Sequence, residues 1–185
     1  GPGQPQMILN LPSDKLQEVM QPALPTDIDF TDPDLALMDF NGDGHLDFVK
    51  KDISPTLGRV RVWFGLGYGE YTDEHRMENV PTGLREEFHL QDVNRDGQAD
   101  LVRVSGSELR YYLNNGRLRY TGAKGDFWGL PPASETEKLL FADMNGNGTP
   151  DVVWITTQHK IKYLDMMIQP FYGLLLGVDN NMGQV

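Results

Sequence analysis

Cysteine is absent from the 185-residue chain, so a disulfide framework is excluded and the redox compartment stays open. No apolar run approaches the roughly 18 residues that a membrane-spanning helix needs. Basic residues are outnumbered, with 16 Lys and Arg against 27 Asp and Glu. The net charge of −11 argues against nucleic acid or an anionic membrane as the main partner. The apolar share is only 39%, whereas 20 glycines and 12 prolines favour many short strands joined by turns.

One acidic motif occurs three times. It reads DFNGDGHLD from Asp39, DVNRDGQAD from Asp92 and DMNGNGTPD from Asp143, and the period is about 52 residues. All three match D-x-N-x-[DN]-G-x-x-D. Turn chemistry alone requires no aspartate at the first and ninth positions, so three unrelated turns are a poor explanation. The motif therefore indicates an internal repeat.

Strand patterns flank each motif. Apolar residues alternate before it, and β-branched or aromatic runs follow it, which predicts one strand entering the loop and a second leaving it. A third alternating run follows in each repeat. GYGEYT (67–72) and NGRLRYT (115–121) are predicted to supply a turn and a fourth strand in the first two repeats.

A four-stranded repeat of about 50 residues is the size of one propeller blade. We therefore predict an all-β fold of the β-propeller type with about three blades, in repeats spanning 35–86, 87–137 and 138–185. Residues 1–34 are predicted to be a tag remnant and an N-terminal connector, with a short helix at 13–20. Closed propellers usually have about 4–8 blades, so we expect part of a larger propeller. Its open sheet edges are expected to self-associate or to be covered by a neighbour.

Each motif has the residues of an oxygen cage for a hard cation. Side chains at positions 1, 3 and 5 are expected to converge, glycine at position 6 allows the turn, and a carbonyl at position 7 and a carboxylate at position 9 complete the set. Carboxylates about 4 Å apart repel by a few kcal/mol at an effective dielectric of about 20, and a bound cation reverses that sign. Ligands that are all oxygens favour calcium over zinc or copper.

The predicted calcium ligands belong to three sites, for up to three ions. They are Asp39, Asn41, Asp43, His45 and Asp47 in the first, Asp92, Asn94, Asp96, Gln98 and Asp100 in the second, and Asp143, Asn145, Asn147, Thr149 and Asp151 in the third. An EF-hand is excluded because position 12 carries no glutamate and the flanks are strands. The first two sites offer three carboxylates and the third only two, so the third is expected to bind most weakly.

No catalytic constellation is apparent in the sequence. The four histidines have no metal-ligand spacing, and no G-x-S-x-G frame or phosphate loop is present. Trp63, Trp128 and Trp154 are expected to pack in the core or between blades, with a sugar-binding platform as the alternative. The sequence thus favours a non-enzymatic protein. An adhesion or carbohydrate-binding propeller is the second hypothesis, and an enzyme such as a propeller lyase is the third.

The three loops resemble the FG-GAP/VCBS calcium loops of integrin-type and bacterial β-propellers. The stretches DVNRDGQADLVRVSGSELRYYLNNG and DMNGNGTPDVVWI, with YLDMM and the closing LLLGVDNNMG (174–183), resemble the middle N-terminal region of SpvB/TcdB-type toxins. These toxins are the B components of insecticidal Tc complexes. The closing stretch departs from the family pattern at Asn181 and Met182.

The resemblance implies a propeller region that docks the B component on the pore-forming component and belongs to a shell around a toxic cargo. It thereby implies other toxin-complex components as protein partners and a secreted or extracellular location, although no signal peptide is apparent. Neither nucleic acid nor a membrane span is expected.

Overall fold

A computed structural model describes residues 8–9, 17–18, 24–25, 28–127 and 129–166, and within these ranges the protein is almost entirely β. The regular segments that are not strands are two short 3₁₀ turns, Arg85–Glu87 and Ala133–Glu135. The helix predicted at 13–20 is wrong for Gln17–Glu18, which pairs with Ile8–Leu9 as an antiparallel strand. The physical reason is that so short a helix offers few hydrogen bonds to offset the cost of its first turn.

The strands are β1 (Ile8–Leu9), β2 (Gln17–Glu18), β3 (Leu35–Met38), β4 (Asp47–Ser54), β5 (Leu57–Trp63), β6 (Gly65–Gly67), β7 (Glu70–Tyr71), β8 (His75–Arg76), β9 (Phe88–Gln91), β10 (Asp100–Ser105), β11 (Glu108–Tyr112), β12 (Lys124–Phe127), β13 (Thr136–Ala142), β14 (Asp151–Thr156) and β15 (Ile161–Leu164). The first three strands of every repeat lie where the sequence patterns predicted them. Each acidic motif joins the first of these strands to the second.

The chain divides into two compact units. The first comprises Gly1–Glu86 and Asn114–Gly122, and it contains a four-stranded antiparallel sheet in the order β3-β4-β5-β8 and the small β6-β7 hairpin. Val49, Val60 and Val62 are fully buried on one face of this sheet. On the other face Asp52 accepts hydrogen bonds from the Nε atoms of both Arg59 and Arg61.

The second unit comprises Glu87–Leu113 and Ala123–Val185. It contains a four-stranded sheet in the order β12-β11-β10-β9 and a three-stranded sheet in the order β13-β14-β15. One core unites the two sheets, built from Val93, Val102 and Leu109 together with Trp154 and Met166. Full burial of each such side chain contributes about 1.5–3 kcal/mol to folding. The all-β, propeller-like repeat predicted from the sequence is confirmed.

In the first two repeats the structure has a fourth strand, but it does not lie in the predicted segment. The predicted segment 67–72 instead overlaps the tight β6-β7 hairpin of residues 65–71, where Gly67, Tyr68 and Gly69 all have positive φ, and the fourth strand is β8. Residues 115–121 turn back within the first unit, where the Glu78 N–H donates to the Leu118 carbonyl at 2.7 Å. Glycine-rich turns permitted both foldbacks, and β12 takes the edge of the second sheet instead.

The described part of the chain has no helix long and apolar enough to cross a membrane. Trp63 and Trp154 are buried at 3% and 2% exposure, as expected for packing residues. Trp128 and the LLLGVDNNMG stretch lie outside the described residues.

Candidate metal centres

The three motifs fold as three equivalent loops: loop one (39–47) between β3 and β4, loop two (92–100) between β9 and β10, and loop three (143–151) between β13 and β14. All fifteen predicted ligand residues lie in them. Glycine at position 6 has φ between +82° and +87° in every loop, a left-handed conformation that costs an L side chain roughly 1–2 kcal/mol. The predicted need for glycine there is explained by this turn.

The position-1 aspartate is the centre of each loop's hydrogen bonding. In loop one the two carboxylate oxygens of Asp39 accept from the backbone N–H groups of Gly42 (2.8 Å), Asp43 (3.2 Å) and Gly44 (3.0 Å). Asp143 repeats the pattern in loop three, with contacts of 2.7, 3.1 and 2.8 Å to positions 4, 5 and 6. The N–H of Gly148 is the main reason why the pKa of Asp143 lies below its usual value.

Positions 3 and 5 continue the same arrangement. The position-3 asparagine oxygen accepts from the N–H of position 5 at 3.0–3.1 Å in all three loops. The position-5 oxygen accepts from the N–H of position 7 at 2.8 Å. In loop one this bond from His45, followed by one from the Asn41 amide, lowers the pKa of Asp43. The partial positive charges of backbone N–H groups thus offset part of the repulsion between the loop carboxylates, a role that the sequence analysis assigned to a cation.

The position-9 aspartates are fully buried. Each accepts from the N–H of position 2 through Oδ2, at 2.8 Å in loop one, 3.1 Å in loop two and 2.9 Å in loop three. Asp47 also accepts from the Gly65 N–H at 2.8 Å through Oδ1. Burial raises the pKa of Asp47 despite these two donors, and the charges of Asp43 and Asp39 add to the rise. This carboxylate ties the loop to the strand that follows β5.

Position 2 is apolar in all three loops, but the loops differ in how far they bury it. Phe40 is 1% exposed and Val93 is fully buried. Met144 is 44% exposed. The third loop therefore lacks the apolar anchor of the other two.

The donor chemistry of loops one and two fits calcium. Every side-chain donor is a carboxylate or amide oxygen, which calcium prefers. A carboxylate offers roughly four acceptor sites, of which Asp39 uses three and Asp47 two for these hydrogen bonds. Both therefore keep acceptor sites that a cation could use. In the described residues, however, no three Asp, Glu, His or Cys side chains are grouped so as to hold a metal ion. The oxygens face the loops' own N–H groups, so a cation would have to share them.

Two residues outside the predicted set contact loop three. Asp165, just after β15, accepts from the side-chain amides of Asn145 (2.8 Å) and Asn147 (3.0 Å). Arg95, at position 4 of loop two, donates from Nη1 to the Asn147 carbonyl at 2.9 Å. No motif signalled either contact. The one hint in the sequence was an arginine at a position that holds glycine in the other loops, Gly42 and Gly146.

Two clefts lie among the described residues of the second unit. One, of about 90 Å³, is lined by Glu135, Thr156, Thr157, Gln158, Lys160 and Lys162. Another, of about 180 Å³, is lined mainly by apolar residues, including Val104, Leu139 and the buried Trp154.

Comparison with known families identifies an FG-GAP-like repeat over residues 92–154, which begins with loop two and extends through loop three into β14. This match covers about a third of the chain. No curated protein sequence is significantly similar to the chain.

Solved structures of Tc toxins share the fold. The chain matches TcdB2-TccC3 with 19% identity and a TM-score of 0.62, over 86% of its own length and 7% of the toxin chain. It matches the Tc holotoxin pore of Photorhabdus luminescens with 20% identity and a TM-score of 0.59, over 79% of its length and 6% of that chain. A lectin from Agrocybe aegerita that recognises non-reducing terminal N-acetylglucosamine matches with 22% identity and a TM-score of 0.50, over 65% of this chain and 32% of the lectin.

These identities establish a likeness of fold. The chain therefore contains an FG-GAP-like repeat over residues 92–154, and the resemblance to a Tc toxin B-type region is confirmed as a likeness of fold. The chain spans only 6–7% of the length of the toxin chains that it matches.

Proposed function

We propose that the chain is a non-catalytic β-scaffold that calcium stabilises through its acidic loops and that takes part in assembling a secreted, Tc-type toxin complex. The observation that carries the proposal is the repeated loop geometry. In each loop the position-3 oxygen accepts from the position-5 N–H and the position-5 oxygen from the position-7 N–H, and each loop joins two hydrogen-bonded strands.

Loops one and two would hold the ion. Their candidate ligands are the side chains at positions 1, 3, 5 and 9 and the carbonyl at position 7, with three carboxylates in each loop. Calcium, when bound, supplies positive charge to oxygens that backbone N–H groups compensate only in part. Binding to the folded state alone stabilises it, by about 2.7 kcal/mol at a hundredfold excess over the dissociation constant.

The assembly role is supported by the fold likeness to toxin-complex chains and by the FG-GAP-like repeat. The acidic net charge is consistent with a protein partner rather than nucleic acid. We expect self-association through open sheet edges in the isolated chain, to be measured by analytical ultracentrifugation with and without calcium. A strict monomer at all concentrations in both conditions would contradict this expectation.

Calcium binding is tested by calorimetric titration together with thermal unfolding. Asp96→Asn removes a position-5 carboxylate from loop two, and its calcium affinity should fall by about tenfold or more. Asp73→Asn is the matched control, because it removes the same charge from an exposed position outside the loops. The calcium part of the proposal would be refuted if the calorimetric titration showed no heat of binding and if chelator left the melting temperature unchanged.

A carbohydrate-binding module is the second candidate, since the fold is also similar to that of a lectin. Sugar platforms use exposed aromatic rings, whereas Trp63 and Trp154 are buried. A glycan array distinguishes the two functions. Selective binding to one glycan class would favour the lectin-like function over a scaffold.

A further inference from the structure

Loop three differs from the other two loops because charged side chains from outside the loop contact it. Position 5 is Asn147 rather than aspartate, so one carboxylate is missing. Asp165 lies beside the loop and accepts from both asparagine amides, with one oxygen for each amide. The nitrogen and oxygen of a side-chain amide point apart, so Asp165 lies on the nitrogen side, away from the oxygens that a cation would need.

The guanidinium of Arg95 lies directly against the same loop. Its Nη1 donates to the Asn147 carbonyl at 2.9 Å. A Cβ on Gly148 would lie 2.7 Å from Cζ and 2.9 Å from Nε and Nη2, so the arginine occupies the space that any larger residue would fill. Loop two and loop three both belong to the second unit, and Arg95 connects them.

Arg95 holds this position in an unfavourable backbone conformation. Its φ is +62°, close to the +76° and +75° of Gly42 and Gly146 at the same loop position. A non-glycine residue in the left-handed region is strained, and such strain persists where the surrounding contacts compensate for it. The contact with loop three is the compensation that the structure shows.

We propose that the Arg95 guanidinium takes the place of a metal ion at loop three, where Asp165 holds the two asparagine amides, and that the loop takes no calcium at concentrations that fill loops one and two. A guanidinium against the loop disfavours a second cation, and the missing carboxylate removes part of the attraction. This inference rests on the proposed calcium binding of loops one and two. It predicts a loop that keeps its shape when calcium is withdrawn.

Hydrogen exchange read by mass spectrometry tests this on the intact chain, in chelator and in excess calcium. Peptides covering 39–47 and 92–100 should exchange more slowly in calcium, whereas the peptide covering 143–151 should exchange alike in both. Calorimetry should show two ions per chain. Equal slowing of all three peptides with three ions bound would overturn the inference. No slowing in any peptide would overturn the proposed calcium function, and the variant described next would then decide the inference by itself.

Arg95→Gln removes the guanidinium and keeps a side chain at the same backbone position. In chelator, exchange of the 143–151 peptide should accelerate by about tenfold, the effect of losing one charge-assisted hydrogen bond. Where loops one and two bind calcium, the variant's loop three should also become calcium-responsive. Arg117→Gln is the control, because it removes the same charge from an exposed arginine. Wild-type exchange of 143–151 in Arg95→Gln would refute the role of Arg95.

Discussion

Replacing Asp47 by asparagine should destabilise the protein more than the same replacement of Asp151. Both carboxylates occupy position 9 of their loops and both are fully buried. Asp47 accepts two backbone N–H groups, from Phe40 and Gly65, one on each oxygen. Asp151 accepts only from Met144, and its Oδ1 has no hydrogen-bond partner among the described residues. The pair therefore isolates the second hydrogen bond.

The cost of Asp47→Asn can be estimated from the backbone N–H group that loses its acceptor. An asparagine offers one oxygen, so in Asp47→Asn one buried N–H must face an NH₂ group. Losing a hydrogen bond to a charged acceptor costs about 1.5–3 kcal/mol. Removing the buried charge offsets part of this loss, which leaves about 1–2 kcal/mol. In Asp151→Asn no backbone donor loses its acceptor, and the amide nitrogen replaces an oxygen that had no partner in the described part of the chain, so the loss should be less than about 1 kcal/mol.

Thermal unfolding in chelator is the assay, because Asp47 is a proposed calcium ligand and the metal would otherwise contribute to its stability. A chain of this size shifts its melting temperature by about 2–4 °C per kcal/mol, so Asp47→Asn should melt about 2–8 °C lower. Asp151→Asn should melt near the wild type. Equal losses in the two variants would refute the reasoning, since they would show that the second N–H contact of Asp47 contributes nothing measurable.

Three further results are expected. Phe40→Ala should lower the free energy of unfolding by about 3–5 kcal/mol, because the ring is buried. Met144→Ala, at the equivalent but exposed position, should lower it by less than about 1 kcal/mol, and equal losses in chemical denaturation would contradict this difference in packing. Gly58→Ala should destabilise by about 1–3 kcal/mol, since its Cβ would collide with the backbone carbonyl oxygens of Val80 and Pro81. Gly122→Ala, where the Cβ would meet no atom of the described residues within 4 Å, should leave stability unchanged, and equal losses in thermal unfolding would contradict the clash. The pKa of Asp43 is lowered, so its stabilisation is complete above its unfolded pKa and is lost as pH falls through the folded value. NMR titration in chelator should place the Asp43 midpoint below that of an aspartate in the unfolded chain, and a midpoint at or above it would contradict the hydrogen bonds to its carboxylate.

Local chemistry made the repeats readable without a structure. Alternating apolar residues predicted the first three strands of each repeat, because side chains alternate between the faces of a strand. The glycine at position 6 predicted the turn, because few other residues adopt its positive φ. The resemblance to FG-GAP loops and Tc toxins rested on the same local motifs and was confirmed as a likeness of fold.

Pairing between distant segments decided the rest. The fourth strands were predicted too early, because nothing local shows that 115–121 would contact Glu78 or that β8 and β12 would take the sheet edges. The charges around loop three were also invisible in the sequence, because they come from residues outside the loop. Arg95 is about 50 residues away from the loop in sequence, and Asp165 reaches it only because β15 pairs with β14.

The sequence by itself determined three acidic loops between strands, since a turn and a period-two pattern need only a few consecutive residues. Only the tertiary structure decided which charges meet in each loop. Hydrogen bonds and ion pairs act over a few ångströms, so they depend on which segments the fold brings together. That dependence separates loops one and two, where calcium is proposed, from loop three, where Arg95 and Asp165 lie in contact with the loop.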